Sequence, residues 1–334
     1  MRYTLPALLL LTISVAIARQ QPAPTAPVRI IFDTDIGPDY DDVGAITLLH
    51  ALADSGQATI LATIASNQHP RIAAVLSVMN TYFGRPQLPI GMVRGRAVNL
   101  PARQKWDSLI VANYSHALTT NGQAEDATDL YRRLLAQEPD SSVTIVTVGF
   151  MTNLANLLVS KSDRYSPLDG LSLVKKKVKS VVSMAGHFGA EMGKFREFNV
   201  EKDVLASRYV FDNWNTPIIF SGFEIGSRVF TGLPLANSNY QHSPGKDVFA
   251  VSIPQDPADR NGRMSWDQTA VLVAIKGHSP YYTLAEGRFV CAEDGSNTWN
   301  RAGKGHFYLI EKMPVREVER VINTLMLHLP TGKK

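Results

Sequence analysis

Val28-Arg29-Ile30-Ile31-Phe32-Asp33-Thr34-Asp35-Ile36-Gly37-Pro38-Asp39-Tyr40-Asp41-Asp42, followed by the helical pattern Val43 to Ala53, carries the fold decision for this chain. Val28 to Phe32 is a short, apolar, β-branched run of strand length, and the residues after Asp42 change to a helical period. Gly37 and Pro38 mark the turn between the two. Outward from this unit the alternation repeats, with an apolar run at Thr59 to Ala65 and a helical pattern at Ile72 to Phe83. Further runs at Val143 to Val148, Val178 to Met184 and Pro217 to Ser221 are separated by helical candidates at Thr152 to Val159 and Asp203 to Phe211. Near-continuous apolar strands with helices between them predict an α/β fold, an open and mostly parallel sheet covered by helices on both faces. Ligands in such sheets bind at the carboxyl edge, so chemistry is sought directly after each apolar run.

The remainder predicts a long loop or lid from about Gly232 to Arg263, rich in Pro, Asn, Ser and Gly. A helix from Asp267 to Lys276 follows, then strand-like pieces between Phe289 and Ile310 and a closing helix from Val315 to Leu329. At the other end, Arg2, the apolar stretch Leu8 to Ile17 and Ala16-Ile17-Ala18 have the order of a secretory signal peptide over residues 1–18. The apolar stretch is shorter than the roughly 20 residues that span a bilayer. Residues 19–27, rich in Pro and Gln, read as a linker, and residues 28–334 as one domain, with export to a periplasm or the exterior and no membrane partner once the signal is removed.

A net charge of +4 over 334 residues is too weak a bias to imply nucleic acid. Lys175-Lys176-Lys177 with Lys179 reads as a solvated approach to a strand. Cys291 is the only cysteine, which excludes an intrachain disulfide; it reads as a small buried hydrophobe.

Five aspartates within the ten residues Asp33 to Asp42 exceed what turn and cap chemistry requires. Their mutual repulsion calls for a cation, and all-oxygen ligands suit calcium. A DxD after a strand also matches the haloacid dehalogenase phosphatases, in which the first Asp is a nucleophile; that reading gives Asp41 and Asp42 no role.

In ordered motifs the chain resembles the inosine-uridine type nucleoside hydrolases. Asp33-Thr34-Asp35-Ile36-Gly37 with Asp41-Asp42-Val43-Gly44-Ala45 is similar to their DxDPGxDDAxA opening, with two residues inserted. Ala65-Ser66-Asn67-Gln68 is similar to GNQ, and Val148-Gly149-Phe150-Met151-Thr152-Asn153-Leu154 to TGGLTNIA. Met184-Ala185-Gly186 resembles MGG, Glu197-Phe198-Asn199-Val200 with Asp203 resembles AEFNxxxD, and Trp266-Asp267 stands where many members have His-Asp.

The resemblance implies a calcium site made by Asp35, Asp42, Asp267 and the carbonyl of Val148. It also implies that Asp35 is general base towards a water whose pKa the cation lowers, and that Asp41, Asn67, Glu197 and Asn199 hold the sugar. The implied reaction is hydrolysis of the N-glycosidic bond of a nucleoside or other N-riboside, with carboxylates stabilising an oxocarbenium-like sugar. Such an enzyme could serve purine or pyrimidine salvage, as a monomer or a homo-oligomer.

Two departures stand out. Trp266 replaces the His that protonates the departing base; an indole cannot do so, though it could stack on a nucleobase, and His69 and His187 are the imidazoles placed after strand ends that could substitute. Counting back from Glu197 puts Glu191 where the family has a 5'-side Asn. These departures keep open a second function, an exported riboside-binding protein with little catalysis.

Overall fold

The computed structural model describes residues 26–330. The signal-peptide reading lies outside them, as does the linker reading apart from residues 26 and 27. Twelve strands are found among the described residues: β1 Val28–Thr34, β2 Ala58–Ala65, β3 Ile90–Met92, β4 Glu125–Asp126, β5 Val143–Thr147, β6 Val178–Met184, β7 Ile218–Ser221, β8 Phe230–Thr231, β9 Arg263–Met264, β10 Tyr282–Cys291, β11 Asn297–Asn300 and β12 His306–Glu311. Ten of them form one sheet in the order β11-β10-β12-β7-β6-β5-β1-β2-β3-β4, and β8 pairs with β9 separately. From β4 across to β12 every pairing is parallel; β10 runs against β12 and β11 against β10.

β1 sits between β2 and β5, and the chain builds outward from it in both directions, first through β2, β3 and β4 and then through β5, β6 and β7. The order therefore reverses between β1 and β5, a switch point at which a crevice opens beyond the carboxyl ends of the strands. Arg29 to Asp33 pair in register with Val143 to Thr147. This brings the residues that follow the two strands, Asp35 and Val148, to the same edge.

Successive β1 side chains serve opposite cores. Ile30 and Phe32 join a core beneath helices Asp41–Asp54, Ile72–Tyr82, Trp266–Lys276 and Val315–Met326, while Ile31 joins one beneath Ala127–Gln137, Thr152–Val159, Gly170–Lys177 and Val204–Asn213. That two-sided burial is why the strand reads as a continuous apolar run.

The segment expected to be a long loop from Gly232 to Arg263 is ordered instead. It holds helices Leu233–Ala236 and Pro244–Ser252, two 3-10 turns at Ile253–Gln255 and Pro257–Asp259, and the start of β9. Its Ser and Pro start helices here rather than break them: the Ser243 hydroxyl accepts from the Lys246 amide, and Pro244 occupies the first turn, where its missing N–H costs nothing. Val248 and Phe249 then bury against the first core. No helix among the described residues is long and apolar enough to cross a membrane.

Candidate active site

The loop after β1 packs its carboxylates at the switch point. Asp33 itself turns away from the edge: it is fully buried, the Tyr131 hydroxyl donates to it at 2.8 Å, and the Asn153 amide reaches both its oxygens at 3.1 Å. Burial pushes its carboxyl up to about 7 against these stabilising bonds. A residue so held cannot be a nucleophile, which removes the phosphatase reading. Asp33 instead pins β1 to the two helices behind it.

Asp35, Asp39, Asp41, Asp42, Asp267, Glu197, Asn199, Trp266 and Val148 all line one cleft of about 210 Å³, together with Met184, Phe198, Phe223, Arg103 and Arg263. Burial first, and then the neighbouring carboxylates, push the carboxyls of Asp35, Asp41 and Asp267 well above the ordinary range. For Asp42 the same causes raise it to about 7, although the Thr34 hydroxyl donates to it. A crowd of buried acids that repel one another is the electrostatic signature of a site that takes a cation.

The acids are not equivalent. Asp39, Asp41 and Asp42 bring carboxylate oxygens within 4.8 Å of one another, but the first two already have partners. One Asp41 oxygen accepts from the amides of Trp266 (3.2 Å) and Asp267 (3.3 Å), so Asp41 caps helix Trp266–Lys276 from outside it. Arg263, 8% exposed, approaches Asp39 at 2.7 Å, Asp41 at 3.5 Å and Asp259 at 3.6 Å. Burial alone would raise Asp39; the Arg263 guanidinium brings it below its usual value. Among the described residues Asp35, Asp42 and Asp267 have no such cationic partner.

Opposite the acids, Glu197 caps the short helix Phe198–Lys202. Its oxygens accept from the amides of Asn199 (2.9 Å), Val200 (3.2 Å) and Gly186 (3.2 Å), and burial raises its carboxyl to about 7. The Asn199 amide donates to the carbonyls of Val148 (3.1 Å) and Met184 (3.2 Å), tying the ends of β5 and β6 together. A carbonyl has two lone pairs, so Val148 keeps one for another ligand.

Three expected residues fall elsewhere. Asn67 does not line the cleft: its amide donates to the carbonyls of Asp35 and Leu100, and its oxygen accepts from the amides of His69 and Leu100. Both donors and both lone pairs are thus spent on backbone, and the residue holds the Asp35 loop against the chain at Leu100. His69 lies 3.8 Å from Asp107, outside the cleft. His187 does not line the cleft either; it is buried, with its ring 5.0 and 6.0 Å from those of Phe195 and Phe223 and Glu224 at 3.4 Å.

A family model of the inosine-uridine preferring nucleoside hydrolases matches residues 30–307. The chain belongs to this family. A search of curated proteins finds no match. Among solved structures, a purine-preferring ribonucleoside hydrolase from Gardnerella vaginalis is 14% identical with a TM-score of 0.70, covering 89% of this chain and 98% of that one. A plant nucleoside hydrolase is 18% identical at a TM-score of 0.66, with coverages of 90% and 98%. The type III effector protein XopQ, solved with adenosine diphosphate ribose, is 15% identical at 0.67, with coverages of 91% and 93%. At these identities the structures share the fold, and the family assignment rests on the matched model.

Within the family frame, Arg263, Arg103, Phe223 and Asp39 are the cleft residues that sequence motifs missed. The one available signal was Asp39 itself: an extra acid inserted into an acidic loop and buried there needs a counter-charge, which the chain supplies 224 residues later through Arg263.

Proposed function

We propose that this protein hydrolyses the N-glycosidic bond of a ribonucleoside or related N-riboside, with calcium in the cleft. The observation that carries the reading is the meeting of Asp35, Asp42, Asp267 and Val148 in one cleft with Glu197 and Asn199. The donor set fits the ion: all-oxygen, with three carboxylates lacking a cationic partner, the chemistry of a hard divalent cation. When bound, calcium lowers the pKa of a water and binds ribose hydroxyls.

Asp35 takes the proton of the attacking water. Asp41, fixed by the amides of helix Trp266–Lys276, accepts from a sugar hydroxyl through its second oxygen, and Glu197 and Asn199 border the other end of the sugar. The buried carboxylates stabilise the positive charge that develops on the ring as the bond to the base lengthens. Trp266 and Phe223, with rings 5.3 Å apart, wall the space for the base. Asn67 acts through Asp35, whose loop it fixes.

We further propose that the chain is exported by residues 1–18 and acts on extracellular or periplasmic ribosides. A second reading, riboside binding with little turnover, is favoured by one observation. Trp266 cannot protonate a leaving base, and its indole N–H is committed to the Phe223 carbonyl at 2.8 Å. Release of base from ribosides by purified protein, with calcium and with a chelator, separates the two. The hydrolase reading expects chelator-sensitive release and its loss by at least about a thousandfold in Asp35→Asn with the fold retained; binding without release would establish the second.

A further inference from the structure

The two ends of the cleft come from different parts of the chain, the acids with Asp41 at one and Glu197 with Asn199 at the other. Trp266 is bonded towards both. Its backbone N–H donates to Asp41 at 3.2 Å, and its indole N–H donates to the Phe223 carbonyl at 2.8 Å. That carbonyl belongs to the four-residue helix Phe223–Gly226, which is too short to hold its own position. Ser265 and Trp266 grip this short helix at both ends, since the Ser265 amide donates to the Gly226 carbonyl at 3.1 Å. The indole packs on bare backbone here: a Cβ on Gly226 would lie 2.4 Å from the Trp266 Cδ1.

Two further bonds join the short helix to the loop after β6. The Phe223 amide donates to the Gly186 carbonyl at 2.8 Å, and Glu224 accepts from the Phe188 amide at 3.1 Å. The Gly186 amide then donates to Glu197 at 3.2 Å, one of three bonds that orient this carboxylate. A chain of hydrogen bonds therefore runs from Asp41 through Trp266, Phe223 and Gly186 to Glu197.

We infer that Trp266 is a positioning residue: standing where the resemblance has a proton-donating His, it sets the orientation of Glu197 and so the grip on the 5' end of the sugar. The inference rests on the hydrolase reading above. Without the indole bond Phe223 and Gly186 can shift, and Glu197 keeps only the two amides of its own helix. His187 touches the same short helix, its Nδ1 3.4 Å from Glu224 and neither ring nitrogen hydrogen-bonded among the described residues. A Trp266 that served this imidazole as an acid would act on the leaving group; one that serves Glu197 acts on the sugar.

The test uses Trp266→Phe, which removes the N–H and keeps a ring at a half-buried position, with Glu197→Gln and the double variant, all calcium-loaded. The substrates are inosine, 5'-deoxyinosine and 4-nitrophenyl riboside, whose leaving group needs no proton. The wild type is expected to favour inosine over 5'-deoxyinosine by about tenfold or more in kcat/KM. In Trp266→Phe that preference should shrink to about threefold or less, as in Glu197→Gln, and the double variant should lose no more than about twofold beyond Glu197→Gln alone, because both changes act on one contact. The loss in Trp266→Phe should be equal on inosine and 4-nitrophenyl riboside. Additive losses, an unchanged preference, no preference in the wild type, or a loss that vanishes on 4-nitrophenyl riboside would overturn the inference, the last by assigning Trp266 to His187 and the leaving group. Hydrogen exchange reads the same chain of bonds without turnover. The Gly186 and Phe223 amides should exchange about tenfold faster or more in Trp266→Phe, with β5 and β6 unaltered, and unchanged protection ends the inference. If the wild type releases no base, the hydrolase reading fails separately, and the same preference, taken from calorimetric affinities for inosine and 5'-deoxyinosine, decides the role of Trp266.

Discussion

At the residue scale the site depends on what is small as much as on what is charged. A Cβ on Gly149 would lie 2.3 Å from the Asp35 amide nitrogen and 2.7 Å from the Asp35 Cβ, with the Ser66 hydroxyl at 2.8 Å. Neither backbone can move freely, because β1 and β5 are hydrogen-bonded up to this point. Gly149→Ala is therefore expected to push the Asp35 loop away from Val148. The overpacking should cost about 1–3 kcal/mol of stability, and turnover should fall far more, by about a hundredfold or more, since a displacement near 1 Å at the reacting group has that effect. Denaturant melts alongside steady-state rates check this; full activity in a destabilised protein would show that the approach of the two loops is not what positions Asp35. The same scale shows where motif reading stops. That Asp35, Asp42, Asp267 and Glu197 would meet in one cleft was legible, because carboxylates in that order have few structural uses. The anchoring of backbone by Asn67 was not, since a sugar ligand and a loop anchor use the same amide, and only the partners at Leu100, His69 and Asp35 reveal the anchor.

At the element scale, the inserted residues and the segment before helix Trp266–Lys276 form one latch over the acidic loop. Tyr40 is fully buried, its hydroxyl donates to Asp259 at 2.5 Å, its ring meets Phe249 edge-on at 5.0 Å, and the Arg263 guanidinium lies 5.1 Å from the ring. The segment that composition marks as a loop is thus what the insertion packs against. This pairing was invisible in the sequence because Tyr40 and Asp259 are 219 residues apart, and local pattern carries no information about such partners. The strands and helices of the parallel core were legible for the opposite reason: β1, β2 and helix Thr152–Val159 declare themselves by apolar run and period alone. Between residues 86 and 140 short strands such as β3 and β4 were too brief to show a pattern. Tyr40→Phe leaves the buried Asp259 carboxylate short of a donor and should cost about 1–3 kcal/mol. With the latch loosened, Arg263 and Asp41 lose their fixed geometry. The variant should need a higher calcium concentration for half-maximal activity while its maximal rate falls little; a calcium dependence identical to the wild type would show that the latch supports the fold alone.

At the scale of the whole molecule the buried titratable groups set two opposing pH dependences. His50 and His306 are held neutral at about 3, by burial and then by the charges of Arg85 and Arg288 respectively. Their folded pKa lies below the unfolded value, so the unfolded chain binds more protons, and the stability they contribute is lost as pH falls from about 6.5 towards 3. The acidic cluster acts in the other direction. With no cation bound, Asp42 titrates at about 7 and Asp35, Asp41 and Asp267 are also raised, each above an unfolded value near 3.8. Below that unfolded value their contribution is fully present, and it is lost as pH rises through the folded pKa, because ionising them together in the cleft is costly. On the proposed function calcium reverses this, since it binds only the ionised carboxylates and releases their protons. Chelated protein should therefore lose thermal stability between pH 6 and pH 8, while protein with calcium at about a hundred times its Kd should gain up to about 2.7 kcal/mol at the upper end. Calorimetric melts at the two pH values, with calcium and with chelator, measure all four states. A chelated protein as stable at pH 8 as at pH 6, or a calcium gain that shrinks as pH rises, would mean that the carboxylates at the switch point are balanced by something other than a divalent cation.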